Sequence, residues 1–315
     1  MAGSRSSSLR DIRGVVSAVY IKHKSEKTVI YDRANKKLVG VNDYGQHRIQ
    51  FLYSNPVGRL LLRFVSSKTY SKLNALHNDT KRSARKITAV EKSFHIDASE
   101  YESRDFKSFN DFFTRKLKTG ARPFSHKGAD FISPADSKMI YKEISDNLEL
   151  RVKGASYSLG SLIENDDLAE KYAGGLCLIF RLTMDDCHRY IFPDDGRIKN
   201  SKTINGKLHT VQPNAHEKYK SYISNYRIIS ELETKHFDDI LFIEIGALLV
   251  GKINNHKKSI FRKGDEKGYF GLGGSTIIII TKCDIIKIDD DIRLHSRKNI
   301  ETKVKQGETI GDAYA

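Results

Sequence analysis

The sequence predicts an α+β fold, with a helical N-terminal region packed on a β-rich core. Three observations carry that prediction. Apolar residues recur at helical spacing before Pro123, while short β-branched runs bounded by Gly, Asn and Asp dominate after it. A content of 39% hydrophobic residues in 315 is enough to bury a core, and the length fits about two domains. No stretch of about 18 apolar residues occurs, so no transmembrane segment is expected and any membrane contact is peripheral.

Residues 1–27 are rich in Ser and Arg and poor in acids, which reads as a flexible N-terminal tail. Residues 28–122 form the helical, basic region. Within it, Val57, Leu60, Leu61, Phe64 and Val65 recur at helical spacing beside Arg59, Arg63, Lys68 and Lys72, predicting one amphipathic helix from Pro56 to Leu76. Its apolar side either packs on a core or lies on a membrane surface. A second helix is expected over Ser108 to Leu117, where Phe109, Phe112 and Phe113 cluster before the turn Gly120-Ala121-Arg122-Pro123. From residue 123 to 315 strands are expected at Met139 to Tyr141, Leu148 to Val152, Leu176 to Leu182, Tyr226 to Leu232, Ile240 to Ile245, Leu248 to Ile253 and Ile277 to Thr281.

Charge narrows the partners. The formal net charge is +15, and residues 1–130 hold 26 Lys and Arg against 12 Asp and Glu, so nearly all the excess is N-terminal. Such a field favours an acidic lipid surface or a nucleic acid. The chain has no RNP, KH or zinc-finger pattern and does not interleave aromatic with basic residues, which argues against nucleic acid. Cys177, Cys187 and Cys283 lack CxxC spacing, so neither a disulfide framework nor a zinc site is indicated, and a reducing compartment fits.

The run Gly271-Leu272-Gly273-Gly274-Ser275-Thr276, followed by Ile277 to Ile280, sets a hydroxyl between a permissive backbone and a stiff strand. Read alone, it is a glycine turn entering a buried strand. It is not a phosphate loop, because no lysine precedes Ser275 and Thr276. Its sharper reading is self-scission, with the Ser275 hydroxyl turned back on the Gly274 carbonyl.

Four segments in order decide between those readings: Phe109-Asn110-Asp111-Phe112-Phe113-Thr114-Arg115, Ser133-Pro134-Ala135-Asp136, Asp186-Cys187-His188-Arg189-Tyr190 and Gly273-Gly274-Ser275-Thr276. GKLHTVQP from Gly206 to Pro213 and IEIGALLVGKI from Ile243 to Ile253 support them. Together they resemble the phosphatidylserine decarboxylases, from about residue 28 to the C-terminus.

The resemblance implies a proenzyme cut between Gly274 and Ser275 into a β chain, 1–274, and an α chain, 275–315. Ser275 would become a pyruvoyl group, the cofactor, with neither metal nor pyridoxal phosphate. That carbonyl would condense with the amine of phosphatidylserine and draw electrons as CO2 leaves, giving phosphatidylethanolamine. Asp136, His188 and Ser275 fall at the positions of the family's catalytic residues. The implied partner is an anionic phospholipid in a peripheral membrane surface, on the cytoplasmic face or an organelle membrane, contacted by Arg59 and Arg63. A homo-oligomer is compatible with this.

Two departures stand out. Ser137 replaces the family's usual glycine, and Ile191 replaces a second histidine three residues after His188. Isoleucine accepts no proton, so either His188 turns inward at a bulge or His209 supplies the base. The alternative is a cleavage-deficient relative that binds anionic phospholipid without catalysis.

Overall fold

The computed structural model describes residues 28–41, 45–103, 105–152, 155–211, 219–248, 252–272 and 275–314. The expected tail over 1–27 and the Gly274 side of the scission bond lie outside the described residues, as do residues 249–251 and 212–213 of the quoted segments.

A ten-stranded sheet organises the chain. In spatial order it runs Ile260–Phe261, Gly196–Ile204, Arg227–Thr234, Asp239–Gly246, Ser275–Thr281, Leu176–Leu182, Ser137–Glu143, Glu301–Val304, Thr28–Asp32 and Lys37–Val41. Only Thr28–Asp32 against Glu301–Val304 is parallel. Ser275–Thr281 lies fifth, paired with Asp239–Gly246 on one side and Leu176–Leu182 on the other. Its run of isoleucines lacks polar alternation because both faces are covered. Ile277 and Ile279 join a cluster with Phe180, Phe242 and Tyr190, while Ile278 and Ile280 join one with Ile179, Leu241 and Ile243.

Strands differ from expectation mainly by a residue or two at their ends, except Leu248 to Ile253, of which only Ile253 is a strand residue among those described. A larger difference is at the start, where the region read as helical opens with the hairpin Thr28–Asp32 and Lys37–Val41 at the edge of the sheet. Thr28, Val29 and Ile30 are good strand residues, and Asp32 Oδ1 accepts from Asn35 N at 3.1 Å to close the turn. Ile253–Asn255 belongs to a separate three-stranded sheet with Glu266–Phe270 and Arg189–Ile191.

The single helix expected from Pro56 to Leu76 is two. Pro56–Val65 ends at Ser66, and Ser67 caps the next helix, Lys68–Asn78, by accepting from Tyr70 N at 3.1 Å. Preceding them, Gln46–Ser54 packs so closely on Pro56–Val65 that a Cβ on Gly58 would lie 2.1 Å from the Phe51 carbonyl oxygen. The apolar face of these helices is largely uncovered: Leu60 is 67% exposed, Val57 62%, Phe64 56% and Leu76 66%. Leu62 alone of the Pro56–Val65 apolar side chains is buried. Among the described residues no helix is long and apolar enough to cross a membrane.

Candidate active site

Ser275 is the first residue of the central strand, opposite Gly246 on one side and Leu182 on the other. Pairing on both sides fixes its backbone. Its side chain is completely buried, and its Oγ has no hydrogen-bond partner among the described residues. An unpaired buried hydroxyl costs roughly 1–3 kcal/mol, so it is a group to explain.

His188 approaches from the neighbouring segment. Leu182 pairs with Ser275, and six residues later the His188 carbonyl accepts from Phe270 N at 3.0 Å, so residues 183–187 run from the Ser275 contact to the Phe270 contact. Leu272, two residues past Phe270, packs in one cluster with Met184 of that segment and with Phe113, whose ring lies 3.8 Å from that of His188. The helix Phe109–Phe113 that supplies this ring is capped by Ser108, which accepts from Asp111 N at 3.1 Å.

The protonation of His188 follows from its surroundings. Nδ1 lies 3.1 Å from the Asp186 carbonyl oxygen, which can only accept, so Nδ1 carries the hydrogen and Nε2 presents a lone pair. Nε2 is buried and unpartnered. Burial, and then the nearby Arg115 guanidinium, lower the pKa of His188 to about 3, so the ring is neutral at ordinary pH. His188 sits in the turn before Arg189–Ile191, where the strict alternation of a strand does not apply. The irregularity in that ladder falls at Glu266 and Gly268, not at His188.

The loop carrying His188 is held by charge. Lys138, 2% exposed, donates to Asp185 at 2.8 Å and to both Asp186 oxygens at 2.9 and 2.8 Å. Asp186 also accepts from Thr183 N at 2.7 Å, while Arg115 Nη2 donates to the Asp186 carbonyl at 2.9 Å. Burial opposes the Lys138 charge, but the two carboxylates raise its pKa and keep it an ammonium.

Asp136 is not hydrogen-bonded to a histidine among the described residues. Arg122 Nε and Nη2 donate to its two oxygens at 3.1 and 2.9 Å, and Gln306 N donates to Oδ1 at 2.8 Å. Burial alone would raise its pKa, yet the Arg122 hydrogen bonds and then Lys305 hold it below the usual carboxylate value. Asp136 still reaches the site indirectly, because the Gln306 side chain donates to the Arg189 carbonyl at 2.8 Å, one residue past His188. Ile191 is buried and donates its N–H to Pro134 O at 2.9 Å. Ser137 is fully buried and donates its hydroxyl to Ala135 O at 3.3 Å, so the side chain is accommodated.

His209 stands elsewhere. Its Nδ1 lies 3.4 Å from Tyr53 Oη, its ring is 4.8 Å from that of Tyr219, and burial lowers its pKa to about 4. With Arg59, Arg63 and Lys207 it lines a cavity of about 710 Å³. The sequence pointed to Asp136, His188 and Ser275 but not to Arg122, Lys138 or Gln306, which hold Asp136 and the segment carrying His188. Arg122 was visible only as part of a turn. Among the described residues no three His, Cys, Asp or Glu side chains come together as a metal-binding group.

The sequence model for phosphatidylserine decarboxylase matches residues 109–312. Phosphatidylserine decarboxylase proenzyme 2 of Clostridium acetobutylicum is 48% identical over 284 residues, covering 90% of this chain and 98% of that protein. The proenzyme of Clostridium novyi is 42% identical, with 92% and 99% covered, and that of Ruminiclostridium cellulolyticum is 39% identical, with 90% and 97% covered.

Proposed function

This chain belongs to the phosphatidylserine decarboxylase family, and we propose that it is a proenzyme that cuts itself between Gly274 and Ser275 to make its own pyruvoyl group. The matured enzyme then converts phosphatidylserine to phosphatidylethanolamine and CO2. One observation carries the reading: two buried, unpartnered groups, the Ser275 hydroxyl at the start of the central strand and the His188 Nε2 lone pair six residues past Leu182, the cross-strand partner of Ser275.

A serine hydroxyl is a weak nucleophile without a base. His188 suits that role because it is neutral, and its Nδ1–H is fixed on Asp186 O so that Nε2 stays free. In the proposed scission Ser275 Oγ adds to the Gly274 carbonyl carbon and its proton passes to Nε2. The peptide bond to Ser275 N breaks, leaving an ester. Loss of the Ser275 Cα proton then expels the Gly274 carboxylate, and hydrolysis releases ammonia. The pyruvoyl group so formed supplies an electrophilic carbonyl that accepts electrons as CO2 leaves the substrate.

The helices Pro56–Val65 and Lys68–Asn78 are the proposed landing face. Exposed Leu60, Phe64 and Leu76 would enter the interface of an anionic bilayer, with Arg59 and Arg63 beside them, each basic group adding about 1 kcal/mol. A second reading, an uncut lipid-binding relative, is favoured by one feature, the hold of Arg122 rather than a histidine on Asp136.

Intact-mass analysis of the purified protein separates the two. Scission yields a fragment of 41 residues, 275–315, carrying a carbonyl that borohydride reduces. A single uncut chain overturns the proposal.

A further inference from the structure

Resting on that reading, we propose that the cavity between the helix Pro56–Val65 and the segment Lys207–His209 is a phosphodiester site that anchors the substrate headgroup, with Lys207 as its specificity-determining cation. The cavity holds about 710 Å³ and is lined by Arg59, Arg63, Lys207, His209 and Tyr219, with Leu60 at its edge. Arg59, Arg63 and Lys207 form no ion pair among the described residues, unlike Arg122, Arg181 or Lys138. Three cations around one concavity, none ion-paired among the described residues, favour an anion.

The walls are built rather than incidental. Leu208 N donates to Ser66 O at 3.1 Å, tying the strand-side wall to the end of the helix, and Thr210 N donates to Tyr53 Oη at 2.8 Å. The Asn225 side chain then joins this wall to the reacting strand. Its Oδ1 accepts from His209 N at 2.9 Å, and its Nδ2 donates to His209 O and to Gly246 O, both at 2.8 Å. Gly246 is the residue opposite Ser275. Cross-strand partners lie about 5 Å apart, so the buried Asn225 side chain and Gly246 stand between the cavity wall and the strand end at which the pyruvoyl carbonyl would form. The exposed Leu60 and Val57 leave the acyl side facing the lipid.

Lys207 lies outside the two landing helices, which lets the site be tested apart from membrane binding. Lys207→Ala is expected to raise KM for a short-chain, monomeric phosphatidylserine about tenfold or more, with a much smaller change in kcat, and Lys207→Arg to restore most of it. Vesicle binding and the two-chain pattern should stay as in the parent. Glycerophosphoserine should compete in the parent and lose competition in Lys207→Ala. Competition by inorganic phosphate alone, equal in strength to glycerophosphoserine, would mean a free-anion site and overturn the headgroup assignment. An unchanged KM in Lys207→Ala overturns the proposal outright. Should the parent neither cleave nor decarboxylate, the enzymatic reading fails separately, and calorimetry with glycerophosphoserine decides the cavity. Binding abolished by Lys207→Ala upholds the site, and binding equal in both proteins removes it.

Discussion

The Arg122 guanidinium grips Asp136 with two hydrogen bonds, Nε to Oδ1 at 3.1 Å and Nη2 to Oδ2 at 2.9 Å. Asp136 thereby serves as the anchor of Gln306, which steadies the backbone beside His188. Removing one partner of a buried pair strands the other charge. Arg122→Ala should therefore lose roughly 3–5 kcal/mol of stability, read from the urea midpoint, and Arg122→Lys clearly less. An unchanged midpoint in Arg122→Ala would show that the pair makes no such contribution.

His188→Ala should slow scission by about a hundredfold or more, measured as accumulation of the 41-residue fragment on denaturing gels. His209→Ala should leave scission close to that of the parent, because His209 lies against Tyr53 and Tyr219. A slower cut in His209→Ala alone would reverse the assignment.

The pH profile gives an independent check on the same base. With its pKa pulled down to about 3 by burial and Arg115, His188 stays neutral through pH 5.5. Scission should not fall with the midpoint near 6.5 that a solvated histidine would impose. A midpoint of 6 to 7 would place the base elsewhere.

Acid stability has a definite sign. His188 is held neutral in the fold but protonates near 6.5 when unfolded, so its contribution is lost as pH falls from about 6.5 toward 3. His209, at about 4, adds in the upper part of that window. Asp136, with its folded pKa below the ordinary 3.8, contributes above that value and loses its contribution as pH falls through its folded pKa. Urea midpoints should drop between pH 7 and 4, and His188→Gln should flatten that drop. An equal slope in both proteins would rule out His188 as a source.

The two products of scission should stay together. Ser275–Thr281 is hydrogen-bonded on both sides within the sheet, and Glu301 of the same fragment pairs with Arg181 at 2.7 Å in the interior. The fragments should co-elute on native size exclusion and separate only in denaturant. Release of the small chain under native conditions would contradict the central position of that strand.

Much of this was legible in the residues. The isoleucine run after Ser275 marks a strand buried on both faces, because strand pattern is a local property, whereas Asp136 and His188 were reached through what the resemblance of four ordered motifs implies. Pro56–Leu76 was legible as amphipathic, but not as two helices with the apolar side uncovered. Ser66 and Ser67 break it, and burial depends on what packs against a face. Nothing in the spacing announces that Arg122 meets Asp136, that Lys138 binds the loop before His188, or that Asn225 joins His209 to Gly246.

The sequence by itself determined the fold class and the family, since these reside in periodicity, composition and ordered motifs. Only the tertiary structure decided which nitrogen of His188 is free, which cation holds Asp136, and that the basic helix and Lys207 share one cavity. Those are consequences of side chains distant in the chain meeting in a low-dielectric interior or across one concave surface, where hydrogen-bond geometry and desolvation set protonation and charge.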